Sequence, residues 1–463
     1  MNIIIVGATR VGIELAEYLV GGGHAVTLVD RPSEELSAIG NRLDLRVVQD
    51  SPSLPSTLKK AGAENAELLV ATTDSDETNI TACCIAAFLF RVPRKIARIR
   101  DHDYLNEADE IFGQNAIPID HIISPEHITA DAIIDLINLP GSSCVGNFAG
   151  GRIVLIEARC SRGGKLIGHK VESLLKLDDK VRIVALHRNG EAVERFLNEY
   201  IAEGDLLCFC VERSRALSIL TALVPIEISG KVITIAGGSH IADELARRLS
   251  SRYQVKLIEP NPERALKSAD RLQNTSVEIF EANPSNLDFL IEEHIHRSAR
   301  FIAASQNDED NLVSALMLKS LDSVRTITVL RESSFYEVIR HAEKDVDTVV
   351  SPREAIISEL LSDILQEGVE RVRLYRGGAS EGIELTVRGG RLSSRVVGRK
   401  AGDLNLPRGV TLALALRDKK VIPIDPDFVF EPDDHVIAYL EEQKSMRALV
   451  RLFKPRSFWI MPW

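Results

Sequence analysis

The stretch IIIVGATRVGIELAEYL at residues 3–19, followed by AVTLVD at 25–30, decides the fold. Apolar residues 3–6 run into Gly7-Ala8-Thr9-Arg10-Val11-Gly12, after which Val11, Leu15 and Leu19 recur on one helical face. A strand that turns tightly into an amphipathic helix and returns to a second strand is a βαβ unit, so the stretch predicts a parallel sheet. Gly7 serves the turn, Gly12 the close packing of helix on sheet, and the helix amino terminus offers N–H groups to a pyrophosphate. Asp30 follows 18 residues after Gly12, where a carboxylate accepts from a ribose diol and repels a 2′-phosphate; Arg31 beside it works the other way. Thr9 stands where a dinucleotide fingerprint has its middle glycine and puts a side chain where backbone normally meets phosphate. The turn predicts a nucleotide crevice; the alternative is a relic fold with an empty one.

The same stretch recurs as VITIAGGSHIADELARRL at 232–249, an offset of 230 residues. DSDETN at 74–79 recurs as QNDEDN at 306–311, and IISPE at 122–126 as VVSPR at 349–353, with offsets of 232 and 227. Between these copies LIG at 166–168 matches VVG at 396–398, and the step Gly204-Asp205 matches Asp433-Asp434. The chain is therefore a duplication. Each half holds a larger unit in which strands alternate with helices, then a smaller one with runs of β-type alternation at 152–158, 181–186 and 206–211. The predicted class is α/β: two Rossmann-like parallel-sheet domains at 1–138 and 227–366, each followed by a smaller α+β domain, at 139–226 and at 367–463 with a tail. Joints are expected at 138–151, where Pro, Gly and Ser accumulate, at 223–230 and at 366–369.

The second turn, Gly237-Gly238-Ser239-His240-Ile241-Ala242, has Ser239 at the middle glycine, Ala242 at the third and Glu259 at the acidic position, with Pro260 after it. His240 points outward from the turn or meets phosphate. In the first half, the crevice lies where the strand order reverses, beside the strand that opens ATTDSDETN. Thr73, Asp76 and Asn79 then face a ligand; Asp74 with Glu77 three residues later also fits a capping box, and the two readings are compatible. Arg98 and Arg100 of IARIRD either meet phosphate or form surface ion pairs.

With 463 residues the chain is too long for one core, and Lys+Arg 56 against Asp+Glu 67 gives a net charge of −11, which argues against nucleic-acid or polybasic lipid binding. The longest low-polarity run, ITACCIAAFLF at 80–90, has 11 residues where a helical span takes about 20, so no membrane crossing is expected. MNIIIVGATR carries no leader features. Six sparse cysteines (83, 84, 144, 160, 208 and 210) suit reduced packing thiols, with 208 and 210 on one strand face. His294-x-His296 fits no zinc pattern, and there is no nucleophile elbow, P-loop lysine or proton-transfer residue for a dehydrogenase. Trp459 and Trp463 lie in the tail LFKPRSFWIMPW, which packs on its own or a sister subunit or docks on a partner.

Taken together, the glycine turn with Asp30, ATTDSDETN, IARIRD, IISPE, the repeated QNDEDN and VVSPR, and the Leu-Phe-x-Pro step near the carboxyl end make the chain resemble the TrkA family of tandem RCK (regulator of conductance of potassium) proteins. The resemblance implies a non-enzymatic, cytoplasmic regulator, peripheral on the inner face of the cell membrane. Its RCK-N and RCK-C units would assemble as a homotetrameric ring beneath a membrane-embedded potassium transporter subunit of the TrkH or TrkG type. It implies NAD(H) as ligand, with ATP and ADP as further ligands. Carried over, the contacts would be Gly7, Thr9, Arg10, Val11, Asp30, Thr73, Asp76 and Arg98, with Gly237, Ser239, His240, Ile241, Glu259 and Ser305 as lesser candidates. The alternatives are an NAD-dependent oxidoreductase and the gating ring of a potassium channel.

Overall fold

In the computed structural model, which describes residues 1–113, 116–226, 230–321, 324–332, 346–365 and 368–455, the opening stretch forms β1 (Asn2–Val6) and the helix Arg10–Gly21. Ile3, Ile4, Ile5 and Val6 are all buried, because helices cover both faces of a parallel sheet and leave no polar side to alternate with. Leu15, Ala16 and Leu19 are the helix's buried stripe. With β2 (Ala25–Asp30), β3 (Arg46–Gln49), β4 (Leu68–Ala71), β5 (Arg94–Arg98) and β6 (His121–Ile123), the strands lie parallel in the order β3-β2-β1-β4-β5-β6. The order reverses between β1 and β4, which opens a crevice at their carboxyl ends.

The chain divides into two compact units, residues 1–128 with 356–364, and residues 129–355 with 365–463. The first contains the sheet just described. The second contains three sheets, of which one repeats the first: β12 (Val232–Ala236), β13 (Gln254–Ile258), β14 (Glu278–Phe280), β15 (Arg300–Ala303), β16 (Thr326–Val329) and β17 (Thr348–Val350), in the order β14-β13-β12-β15-β16-β17. Ile3 pairs with Val26 in one sheet as Ile233 pairs with Val255 in the other.

The smaller modules are five-stranded antiparallel sheets of identical topology. β7 (Cys144–Phe148), β8 (Ile153–Arg159), β9 (Arg182–Arg188), β10 (Glu191–Ala192) and β11 (Leu206–Glu212) lie in the order β10-β9-β11-β8-β7. Their counterparts β18 (Val369–Tyr375), β19 (Ser380–Thr386), β20 (Val410–Arg417), β21 (Lys420–Pro423) and β22 (His435–Leu440) lie in the order β18-β19-β22-β20-β21. The repeated acidic step has a structural cause: Asp205, on the approach to β11, takes a bidentate fork from Arg188 of β9 at 2.8 and 2.9 Å, and Asp434 takes one from Arg417 at 2.6 and 2.7 Å. Each buried carboxylate also accepts a backbone amide, from Ala202 and from Glu431.

These two sheets face each other within the second unit, sharing a core that includes Phe148, Leu155, Cys208, Cys210, Tyr375, Leu414 and Tyr439. Cys208 and Cys210 share that face, as their spacing predicts, and burial pushes both thiols up. Tyr375 Oη donates to Leu155 O at 2.9 Å. Gly146 is required where the sheets meet, since a Cβ there would lie 2.2 Å from Tyr375 Oη.

The expected joint at 138–151 is a loop only over residues 139–143, between the helix Pro125–Asn138 and β7; β7 fills 144–148, and its apolar Val145 and Phe148 pair with β8 and enter the core. Gly146 marks close approach within the strand, while Gly141, Gly150 and Gly151 take positive φ in the loop and turn that flank it. Of the other two joints, residues 227–229 and 366–367 lie outside the described residues, as do Phe458, Trp459, Met461 and Trp463 of the tail. Phe453, which is described, packs edge-on against Phe430. Among the described residues no helix is long and apolar enough to cross a membrane.

Candidate functional site

At the end of β1 the chain turns at Gly7, whose φ is +107° and whose absent Cβ would lie 2.7 Å from Thr73 N, so strand β4's exit loop packs directly on the turn. Thr9 caps the helix: its Oγ1 accepts from Gly12 N at 3.2 Å and donates to Thr72 O at 3.1 Å. Its hydroxyl is therefore spent on holding the turn to β4. Arg10 is exposed and Val11 half-buried in the first helical turn, beside buried Gly12.

Asp30 ends β2 opposite this turn. Its Oδ2 accepts the Ala8 amide at 2.6 Å and its Oδ1 the Arg31 amide at 2.6 Å, and it makes no ion pair among the described residues. A carboxylate oriented by two amides keeps lone pairs on both oxygens for a diol.

Arg98 comes from the end of β5. Its side chain is largely buried, Nη1 donates to Asp74 Oδ1 at 3.1 Å, and its Nε has no hydrogen-bond partner among the described residues. Burial, before any other cause, pulls its guanidinium below the ordinary value. A partly desolvated cation with an unmet donor is an anion-seeking group. Asp74 pairs with Arg98, an arginine 24 residues on for which the local sequence carries no signal.

The exit loop is tied to its neighbour by side-chain bonds. Asn79, fully buried, accepts from Thr73 N at 3.0 Å and Thr73 Oγ1 at 2.7 Å, and donates to Thr73 O at 3.1 Å and Arg98 O at 2.9 Å. Asp76 Oδ2 accepts the Arg100 and Asp101 amides at 2.9 and 2.8 Å. Both residues tie the loops after β4 and β5 together; all the bonds of Asn79 named here are internal to these loops, whereas Asp76 keeps its buried Oδ1 without a hydrogen-bond partner among the described residues. Thr73 sits against the glycine turn with its hydroxyl held by Asn79. The helix that follows is capped by Ser75, which accepts from Thr78 N at 3.1 Å and donates to Glu77, so the cap is one residue later than Asp74. Arg100 pairs with Glu126 at 3.3 Å.

The second half repeats the scaffold and changes the chemistry. Gly237 turns at φ +110° against Ser305, and Ser239 caps its helix through Ala242 N and donates to Ala304 O. Asn311 holds Ser305 and Val329 as Asn79 holds Thr73 and Arg98, and Asp308 accepts the Arg331 and Glu332 amides as Asp76 does those of Arg100 and Asp101. Glu259, however, is 2% exposed, with Oε2 on the Gly238 amide at 2.6 Å and Oε1 on Asn261 N and the Arg264 side chain at 2.8 and 3.0 Å. Gly237, Gly238, Ser239 and Ile241 are buried, and His240 is half-buried. At the place of Arg98 stands Val329. Aligning IARIRD with ITVLRE at 327–332 would have revealed that replacement; Arg264 had no counterpart to compare.

The TrkA-N domain family matches residues 3–125 and again 233–352, and the TrkA-C domain family matches residues 391–454. The chain is 37% identical over 99% of its length to the Trk system potassium uptake protein TrkA of Haemophilus influenzae, all of which is covered. It is 35% identical to that of Vibrio alginolyticus, with 99% of this chain and 100% of the relative covered. Among solved structures, the GsuK RCK domain superposes with a TM-score of 0.58 at 16% identity, covering 97% of this chain and 94% of that one. The GsuK channel bound to NAD gives 0.59 at 15% identity over 97% and 79%; these likenesses extend to the fold.

Proposed function

The chain belongs to the TrkA family of potassium-uptake proteins, and from that premise we propose that it is a regulatory subunit that binds an adenine dinucleotide or nucleotide in its first crevice and thereby biases a membrane-embedded potassium transporter. The reading is supported by two groups at the carboxyl ends of one sheet, on either side of its switch point: the amide-oriented Asp30 carboxylate at the end of β2 and the buried, under-partnered Arg98 guanidinium at the end of β5. Asp30 would take the ribose diol, the helix amino terminus at Arg10 and Val11 the pyrophosphate, and Arg98 the negative charge that remains. NAD(H) fits this set, with ATP and ADP sharing the adenosine and phosphate features; NAD is also the ligand named for the GsuK channel. The second crevice is read as structural, since Arg264 already neutralises Glu259 and Val329 offers phosphate nothing.

Ligand binding acts by population shift. A nucleotide that fits one arrangement of the modules better than another moves the equilibrium only by its differential affinity, typically about 1–3 kcal/mol per coupled site. A cytoplasmic homotetrameric ring, docked on its transporter and working without turnover, would sum such biases.

Titration calorimetry of the intact protein with NAD, NADH, ATP and ADP, beside potassium flux in vesicles holding the transporter subunit, tests the reading. One site per chain and nucleotide-dependent flux are expected. Absence of binding by all four nucleotides, or consumption of NADH without the transporter, overturns it.

A further inference from the structure

Inside the unit formed by residues 129–355 and 365–463, a cavity of about 460 Å³ is walled by Cys144, Glu157 and His187 of one antiparallel sheet, Glu354 beyond β17, Arg373 of β18 in the other sheet and Arg376 in the turn just after β18. Its volume lies within the range of small-molecule sites.

Glu157 and Glu384 are the same position of the duplicated sheets: Glu157 pairs with Cys208 across β8 and β11, Glu384 with Ile437 across β19 and β22. Their partners differ. Glu384 is satisfied on both oxygens, by the Ala149 amide at 2.7 Å and by His435 Nδ1 at 2.7 Å. Glu157 is 4% exposed, and its one hydrogen-bond partner among the described residues is the weakly donating Cys208 thiol at 3.5 Å. A buried carboxylate left so is costly. On the same cavity, and among the described residues, Arg373 has a buried Nε without a hydrogen-bond partner, and its Nη2 reaches the Cys144 sulfur at 3.8 Å. Arg376 and His187 are already committed, both to Glu441 at 3.2 and 2.7 Å and Arg376 also to Gly190 O at 2.8 Å.

We propose that this cavity binds a small zwitterion, an amino acid whose ammonium meets Glu157 and whose carboxylate meets Arg373. A lone anion entering would face Glu157 and Glu354, and a lone cation would face Arg373 and Arg376, so each would leave one buried group unmet. A molecule carrying both charges meets both and brings no net charge into the interior. Burial, the largest cause, pushes Glu157 up to about 7 and raises Glu354, the state of carboxylates that an ammonium group would restore to ionised form.

The test uses the full-length protein in calorimetry and thermal-shift measurements with free glycine, β-alanine, γ-aminobutyrate and ε-aminocaproate at millimolar concentration, with propylamine and butyrate as single-charge controls. At least one amino acid of the series is expected to bind, the controls not to, and Glu157→Gln to weaken binding by about tenfold or more while nucleotide affinity stays unchanged. Arg373→Gln is expected to do the same; if it does not fold, Glu157→Gln decides, because it removes the carboxyl that an ammonium group would ionise and keeps the shape. Binding by none of the series, equal binding by either control, or an amino-acid affinity indifferent to Glu157→Gln overturns the proposal.

Discussion

Asp30 Oδ2 accepts the Ala8 amide at 2.6 Å, so the carboxylate for a ribose is fastened to the turn for a phosphate. Removing it should both delete diol recognition and loosen the turn. Asp30→Ala is expected to weaken NAD(H) binding by about tenfold or more, roughly 1.4 kcal/mol, by calorimetry. Glu259→Ala should leave nucleotide stoichiometry and affinity as they are. Unchanged affinity in Asp30→Ala removes the ribose assignment.

Asn79 and Asn311 make matching backbone bonds in the two halves, and Asn79 alone also accepts from the hydroxyl of its neighbour, Thr73. Asn79→Ala strands the Thr73 amide and the Arg98 carbonyl in a buried place, which is expected to cost about 2–4 kcal/mol, read as a lower denaturant midpoint. Asn311→Ala should do likewise in the other half. A loss under about 0.5 kcal/mol in both would mean that the latches are incidental.

Glu157 makes stability fall with rising pH. Its folded value, pushed up to about 7 by burial from an ordinary 4.5, means the folded chain holds a proton there that the unfolded chain has released. That contribution is present below about pH 4.5 and lost as pH rises through 7. The groups around Glu157 are Cys208, Arg376, Glu354 and Arg159. Glu157→Gln is expected to stabilise the protein by roughly 1–3 kcal/mol at pH 8 and by much less at pH 5. Thermal melts at the two pH values read this directly, and a gain equal at both would contradict it.

His435 works in the opposite chemical sense but with the same slope, its value raised first by its hydrogen bond to Glu384. Its bonus is complete below an ordinary histidine's value and fades as pH climbs past the raised one. His435→Asn should therefore lower the melting temperature more at pH 6 than at pH 9, and a uniform loss would refute the ionic part of the bond.

Asp205 and Asp434 offer a matched pair. Asp205→Asn breaks a bidentate fork, and because Arg188 can turn partly to water the expected loss is about 1–3 kcal/mol, measured by denaturation. Asp434→Asn should match it. Neutral behaviour of both would leave the repeated acidic step without a structural role.

Reading residues in order reveals local periodicity and repetition, which is why the βαβ stretch, the duplication and the sheet class were legible. Asp30 and the glycine turn belong to one local unit and came with them. The bonds by which Asp76 and Asn79 join two loops were not legible, because they depend on the end of β5, some twenty residues away. β7 lies hidden in a stretch whose Pro, Gly and Ser content signals a break, because the missing side chain of Gly146 is demanded by Tyr375, 229 positions later. The cavity was invisible for the same reason: Glu157 and Arg373 are separated by more than two hundred residues, and neither position looks unusual alone.

The Gly146–Tyr375 contact joins two sheets carried by one polypeptide. Their association is consequently first-order, with an effective concentration fixed by the chain and indifferent to dilution. Two separate proteins bearing one sheet each would need identical or co-adapted surfaces and would part at low abundance; here each copy was free to drift, which let Glu157 and Glu384 acquire unlike surroundings.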